Sequence, residues 1–477
     1  METETSTPGT PGLVPHRRFR RGGAFPRGRE GPPEGDSRRG LYPGEPETCR
    51  RQWRPFLRSL VQLGLLLALF QRFQIEGRAF VTLVTLALAA LPAHYVCPYR
   101  WKKHIFLAAS ILGLFLVFGA EVASVVLGLA AGLIGICFVP VSWRARAIAL
   151  GLLGAALAAA RALAPATPVP ALVWPVLATM FMFRILIYLY ELKHARAPET
   201  LIDTAGYFFL LPNFCFMHFP VVDYRTLQRG YFADDVHAIQ RRGLQMMFRG
   251  TLHLLGYRLI YHELLISPQE VQGAWSLAGY VLCNYLLYLR VSGQFHLACG
   301  MLHLFGYQLP ETHHHYLLAT GFTDYWRRIN IYWKDFMVRL FFNPAVFRLR
   351  RRPQPVALIA ATAVVFAATW ALHAYQSFWL RGHWGFSAPD GLFWGLLGVL
   401  VLVNVQLDLR RSQRRGGTRS RGRAAEGPTW RARLGAAAVR GLKTAGTLTT
   451  IALLWSLWSS PSLAAWLGLM RRGILGS

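Results

Sequence analysis

The sequence predicts an all-α, polytopic integral membrane protein, with about ten to twelve transmembrane helices, some broken or re-entrant, around a central chamber. Three observations predict it. Hydrophobic residues make up 53% of the 477, and they fall in long runs. Val356–Leu372, Ile105–Ala120 and Val122–Val141 contain no charged residue. About 20 helical residues cross the hydrocarbon core, and backbone amides in lipid must pair within their own segment, so such runs are helices. The third observation is the placement of charge. The net charge is +29, and the arginines cluster at Arg17–Arg54, Tyr99–His104, Arg144–Arg146, Arg348–Arg352 and Arg410–Arg433, outside or between the apolar runs. That distribution marks basic cytoplasmic loops. Nucleic acid is not an expected partner, because no aromatic-interleaved basic pattern accompanies the arginines.

Residues 1–54 read as a disordered basic cytoplasmic tail, rich in Pro, Gly and Arg. No apolar segment follows the first charges, so this is no signal peptide. Residues 55–199 read as N-terminal transmembrane hairpins, with spans at 56–75, 79–97, 105–121, 123–141, 147–164 and 171–191. Lys102 and Lys103, Arg144 and Arg146, and Lys193 and Arg196 all fall in the cytoplasm if 105–141 forms a hairpin, which Gly128–Gly135 permits. Residues 200–408 differ in kind. Between Thr200 and Tyr325, apolar segments are interrupted by Pro212, Pro220, Pro268 and Pro310 and carry many His, Tyr, Asn and Arg residues. Polar groups at membrane depth belong inside a bundle, lining a cavity. Tyr224–Arg242 reads as one interfacial amphipathic helix. Further spans are expected at 244–266, 271–291, 354–378 and 391–408. Residues 409–433 form an Arg/Gly-rich loop, and 434–477 hold a last span, 436–458, and a tail. Six scattered cysteines without a CxxC pair argue against a disulfide framework or a zinc ribbon.

Three constellations could carry chemistry. Thr362, Thr369, His373 and Gln376, spaced 7, 4 and 3 residues apart, form one polar stripe on an otherwise apolar span. Such a stripe faces the bundle interior. A buried neutral imidazole can take a proton from a hydroxyl as it attacks a thioester; the alternative is a histidine hydrogen-bonded to a neighbouring helix. In the second, Trp326, Asn330, Trp333 and Met337 share a helical face, with Arg327 and Arg328 beside it. The Asn330 amide could orient a substrate or donate to an oxyanion, and the arginines could hold a carrier's phosphates. Their alternatives are an interhelical hydrogen bond and the positive-inside rule. The third runs along Tyr285, Tyr288, Ser292, His296, Cys299 and His303, where Gly293 and Gly300 permit close helix approach. It is either a tunnel lining or a polar helix–helix seam. His313–His315 is poor metal geometry, because adjacent side chains diverge, and no bound metal or cofactor is expected. His383 falls in an outer loop and ranks below His373.

Three stretches resemble the membrane-bound O-acyltransferase family, over roughly residues 200–405. They are Tyr207–Pro212 followed by Pro220 and Tyr224; Leu304–Glu311 followed by Tyr316 and Phe322–Arg328; and Trp370-Ala371-Leu372-His373. Within the family the chain is similar to the bacterial branch that acetylates alginate or D-alanylates teichoic acid. That branch has a histidine where this chain has Asn330; other branches pair an asparagine with the later histidine. The glycine expected after the histidine is Ala374.

The resemblance implies transfer of an acyl group, acetyl first, from a cytoplasmic thioester (acyl-CoA or an acyl carrier) to a hydroxyl of a glycan or other extracytoplasmic acceptor. It implies His373 as general base and Asn330 as a positioning group. Substrate contacts would come from Trp326, Arg327, Arg328, Trp333, Tyr288, Ser292 and His296. It also implies a bacterial cytoplasmic membrane and an acyl-accepting partner protein on the outer side. A lipid-directed acyltransferase and a non-catalytic transporter or flippase remain alternatives. The inverted repeat of many transporters is not found in the sequence.

Overall fold

The computed structural model describes residues 41–163, 168–193, 200–214, 216, 219–416 and 430–476. The expectations for residues 1–40, Arg196, Cys215 and the 417–429 part of the Arg/Gly-rich loop lie outside the described residues; the described end of the expected disordered tail, 41–54, is ordered instead, with Cys49 buried and Arg51 Nη1 2.8 Å from Glu45 Oε2. Among the described residues, the regular elements are helices, and the one β feature is an isolated antiparallel bridge between Tyr231 and Tyr307. Seven segments are long and apolar enough to cross a bilayer: α1 (Trp53–Phe73), α2 (Arg78–Val96), α3 (Tyr99–Phe138), α4 (Trp143–Ala162), the pair α5 (Val173–Phe181) and α6 (Arg184–Leu192), α15 (Gln354–Arg381) and α16 (Ala388–Gly416). The chain is an all-α, multi-pass membrane protein.

The outer helices show why lipid suits them. On α1, Leu57, Val61 and Leu65 are exposed while Phe56, Leu63 and Phe70 are buried. A row of exposed aliphatics at four-residue spacing would be an aggregation surface in water, and is matched to its surroundings in hydrocarbon. At about 1.5 Å per residue, α3 would run about 60 Å, twice the hydrocarbon core. Its 40 residues bend instead at Gly119, with φ 78° and ψ 171°. The expected hinge at Gly128–Gly135 is therefore misplaced: those residues are helical, and Gly119 takes the φ that a side chain would resist.

The central helices are α7 (Leu201–Phe208), α8 (Tyr224–Gly230), α9 (Val236–Leu259), α10 (Gly273–Leu286) and α11 (Leu289–Leu304). The single interfacial helix expected over Tyr224–Arg242 is two helices. Between them the chain is drawn into backbone pairing with the segment after α11. Phe232 N–H donates to Gly306 O at 2.8 Å, and Gln308 N–H donates to Gly230 O at 2.8 Å. The Asp235 side chain then caps α9, accepting from Ala238 N–H. The span expected over 271–291 likewise divides, at Leu287–Tyr288, into α10 and α11.

Helices α9 and α11 cross backbone to backbone. A Cβ on Gly243 would lie 2.7 Å from Gly300 O, and one on Gly250 would lie 2.7 Å from Gly293 O. Two glycine pairs at the same seven-residue spacing fix this crossing, by the small-residue logic of membrane helices.

The chain continues through α12 (Phe322–Arg328), α13 (Ile331–Met337) and α14 (Asn343–Arg348) into α15, and closes with α17 (Trp430–Trp458) and α18 (Leu463–Leu475). The helical face expected to join Trp326 to Met337 does not exist, because α12 and α13 are separate helices. His314 N–H donates to Arg328 O at 2.9 Å, and Ile331 N–H donates to Thr312 O at 2.8 Å. These bonds hold the junction open. The residues after 458, expected as a tail, include the helix α18, started by the Ser462 side chain accepting from Ala465 N–H.

Candidate active site

Helix α15 begins with proline in its first turn and ends at Gly382, whose φ of 88° closes it in the left-handed region. Thr362 and Thr369 are buried, as the stripe predicted. Thr369 Oγ1 donates to Val365 O at 2.8 Å, and the Thr369 carbonyl lies 2.8 Å from His373 Nδ1. A carbonyl can only accept, so Nδ1 carries the proton in that contact. In a neutral ring, Nε2 then presents a lone pair. Tryptophans surround the imidazole: ring centroids lie 4.7 Å from Trp394, 5.4 Å from Trp333 and 6.1 Å from Trp458.

Asn330 sits at the junction between α12 and α13, at φ 40° and ψ 66°. Asparagine is among the few residues that enter this left-handed region readily. Its Oδ1 accepts from Trp333 N–H at 3.2 Å and so caps α13. With Oδ1 engaged there, Nδ2 and its two donors are the free end of the amide.

Asn330, Trp333, His373 and Gln376 line one cavity of about 150 Å³. Tyr288, at the start of α11, lines it too. The sequence stripes on α13 and α15 thus converge from separate helices. Trp333 Nε1 is buried without a hydrogen-bond partner.

The other site expectations scatter. Ser292 and His296 lie in the α9–α11 seam: Ser292 Oγ is 3.0 Å from His253 Nδ1, and His296 Nδ1 is 2.6 Å from Ser292 O. Trp326 packs on Phe366, with ring centroids 4.9 Å apart. Arg327 is exposed, and Arg328 Nε donates to Asp324 at 2.7 Å. None of these five lines the cavity. His313 is buried, with Nε2 2.9 Å from Tyr288 Oη, while His314 and His315 are exposed. Among the described residues, no group of three metal-ligating side chains could hold an ion. His383 is exposed between α15 and α16.

Sequence reasoning missed two walls. Trp455 and Trp458 come from α17, where the sequence shows only a last span. Trp458 Nε1 donates to Asp390 Oδ1 at 2.7 Å, tying α17 to the first turn of α16. The α5–α6 segment, expected as a span of the N-terminal hairpins, contributes Met182, Phe183 and Arg184. A tryptophan pair at i, i+3 and a lone arginine inside an apolar run were the available signals.

Beyond Val221, which lines both, lies a smaller cavity of about 40 Å³ beside Asp223, Tyr332 and Arg339. Arg339 Nη1 lies 2.7 Å from Glu191 and 3.2 Å from Asp223. Burial works to raise the Asp223 carboxyl, but the Thr226 hydroxyl and Arg339 outweigh it and hold the group below the usual carboxylate range.

No protein-family model matches the chain, and no curated protein matches it.

Proposed function

We propose that this protein is a membrane-bound O-acyltransferase of a bacterial cytoplasmic membrane, moving a short acyl group from a cytoplasmic thioester to a hydroxyl acceptor. The observation that supports this reading is the meeting of His373 and Asn330. They come from different helices, line one cavity, and each has its reactive end free.

The chemistry balances within the cavity. His373 Nε2 takes the acceptor's hydroxyl proton as the new O–C bond forms at the thioester carbonyl. The carbonyl oxygen becomes an oxyanion, to which Asn330 Nδ2 and Trp333 Nε1 donate. Collapse breaks the C–S bond, and the proton on His373 passes to the leaving thiolate, giving ester and thiol. A positioned base contributes about 10²–10⁴-fold, and one oxyanion donor about 10²–10³-fold.

A cavity near 150 Å³ admits a group about as large as benzene. That favours a short acyl group, acetyl first. The donor would approach past exposed Arg327 and the basic cluster Arg348–Arg352, and the acceptor, a glycan hydroxyl in the first instance, from the outer side. An extracytoplasmic partner protein could take the acyl group first.

The test is purified protein in proteoliposomes, given radiolabelled acetyl-CoA on one side and a cell-envelope glycan extract on the other. Label covalently attached to glycan supports the reading. Uptake of label without a covalent product would overturn it in favour of a transporter.

A further inference from the structure

Arg184 is a charge with no obvious reason to be where it is. The apolar segment that holds it runs from Val173 to Leu192. Arg184 lies eleven residues from one end and eight from the other, about 16 Å and 12 Å along a helix, and so close to the bilayer midplane. It is 2% exposed. An ionised side chain at that depth is costly and is kept where it has a task.

Part of its coordination is structural. Nη1 donates to Tyr207 O at 2.6 Å; Nη2 donates to Phe208 O at 3.3 Å and to Thr179 O at 3.4 Å. Those carbonyls belong to the ends of α7 and α5, where helix C-termini carry partial negative charge. The rings of Tyr207 and Phe219 lie 5.5 and 5.2 Å from the guanidinium carbon. These contacts orient the group, but no carboxylate is among its three acceptors, and Nε is buried with no partner. Arg184 also lines the cavity that holds His373. A buried positive charge met by no carboxylate among its hydrogen-bond partners therefore borders the reaction chamber.

We infer that Arg184 binds an anionic oxygen, of a carboxylate or a phosphate, on the substrate that occupies this cavity. A guanidinium is the side chain best shaped for such oxyanions, and a bound anion supplies the neutralisation that the three carbonyls do not. Assigning that anion to the acceptor rests on the acyltransfer reading. A thioester is neutral at its reacting carbon, and the nearest phosphate of coenzyme A or an acyl carrier sits a whole pantetheine arm away. With an acetyl donor, which carries no charge of its own, an anion within the same small cavity belongs to the other reactant. The substrate class becomes an acidic acceptor, either a sugar bearing a carboxylate or a phosphorylated headgroup. The site itself does not depend on what His373 does.

The experiment is thermal unfolding of the full-length protein in detergent, titrated with glucuronate, inorganic phosphate or dioctanoyl phosphatidic acid. Sodium chloride and methyl glucoside are the controls. An anion that binds the folded state raises the melting temperature by mass action, by about 3 °C or more near saturation. Glucuronate acting alone identifies an acidic sugar; phosphate and phosphatidic acid acting together identify a phosphorylated headgroup. Arg184→Gln abolishes the shift. If Arg184→Gln does not fold, Arg184→Lys carries the test, with a point charge in place of the planar group and affinity weakened about tenfold. His373→Ala keeps the shift, so the anion site and the acyltransfer reading can fail separately. No response of the wild type to any of the three anions overturns the inference, as does an Arg184→Gln or Arg184→Lys protein that responds with unchanged affinity.

Discussion

Helix α4 and the α5–α6 segment are neighbours in sequence, equal in length at 20 residues and close in mean hydropathy, yet 17% of the first is buried and 72% of the second. Apolarity alone puts both in the membrane. What separates them is what their side chains must satisfy. Helix α4 turns Ile148 and Leu152 outward, and lipid is all they need. The α5–α6 segment carries Arg184, whose donors reach protein carbonyls that lipid could not replace. Arg146 of α4 also reaches a carbonyl, Val139 O at 2.9 Å, but from the first turn of its helix, whereas Arg184 does so from the middle of its segment.

The same contrast between lipid-facing and packed helices holds for α3 and α11, and its largest break should come from adding the same bulk to each. Gly300→Leu drives a side chain into Gly243 O and Met247, 2.6 and 2.5 Å from the new Cβ. Overpacking of that kind costs about 3 kcal/mol or more. Gly132→Leu on α3 meets nothing within 4 Å and should fall within about 0.5 kcal/mol of wild type. Melting temperatures of the two purified variants check this; equal losses would mean that the α9–α11 crossing is looser than described.

Asn330→Ala tests the chamber's donor next. Loss of the cap costs about 1 kcal/mol, while loss of the Nδ2 donor lowers transfer about 10²–10³-fold. Asn330→Gly suits φ 40° and should recover stability but not rate, measured as kcat beside the melting curve. Trp458→Phe removes one hydrogen bond to Asp390 and should cost about 1.5–3 kcal/mol. Trp53→Phe, at a residue 56% exposed, should cost almost nothing.

The smallest effect is a pH step. Asp223 is held below its unfolded value, near 3.9, so its contribution is complete above that pH and is lost as pH falls through the folded value. Wild-type stability should drop over that window below about pH 4, with a shallower drop for Asp223→Asn in a melting series from neutral to acid.

The α15 stripe was legible in the sequence because a regular helix turns spacing into a face: Thr369, His373 and Gln376 lie where their intervals put them. Asn330 was legible as chemistry but not as geometry. Its approach to His373 depends on a left-handed residue between α12 and α13, held by backbone bonds from Thr312 and His314, and no periodicity records such bonds. The Gly119 bend was hidden among equally plausible glycines. Trp455 and Trp458 were passed over because an aromatic pair at the end of a span is also what an interfacial belt looks like. Ser292 and His296 satisfied the same spacing rule as His373, and the seam won because Gly293 and Gly300 bring α9 onto that helix.

The role of His373 as the base of an acyl transfer is tested by single-turnover transfer from labelled acetyl-CoA. Wild type, His373→Ala and His373→Gln would be compared in the same proteoliposomes, with melting curves confirming that each is folded. Both variants should keep their fold and lose transfer by about 10²–10⁴-fold. Folded variants that transfer at the wild-type rate would contradict that role.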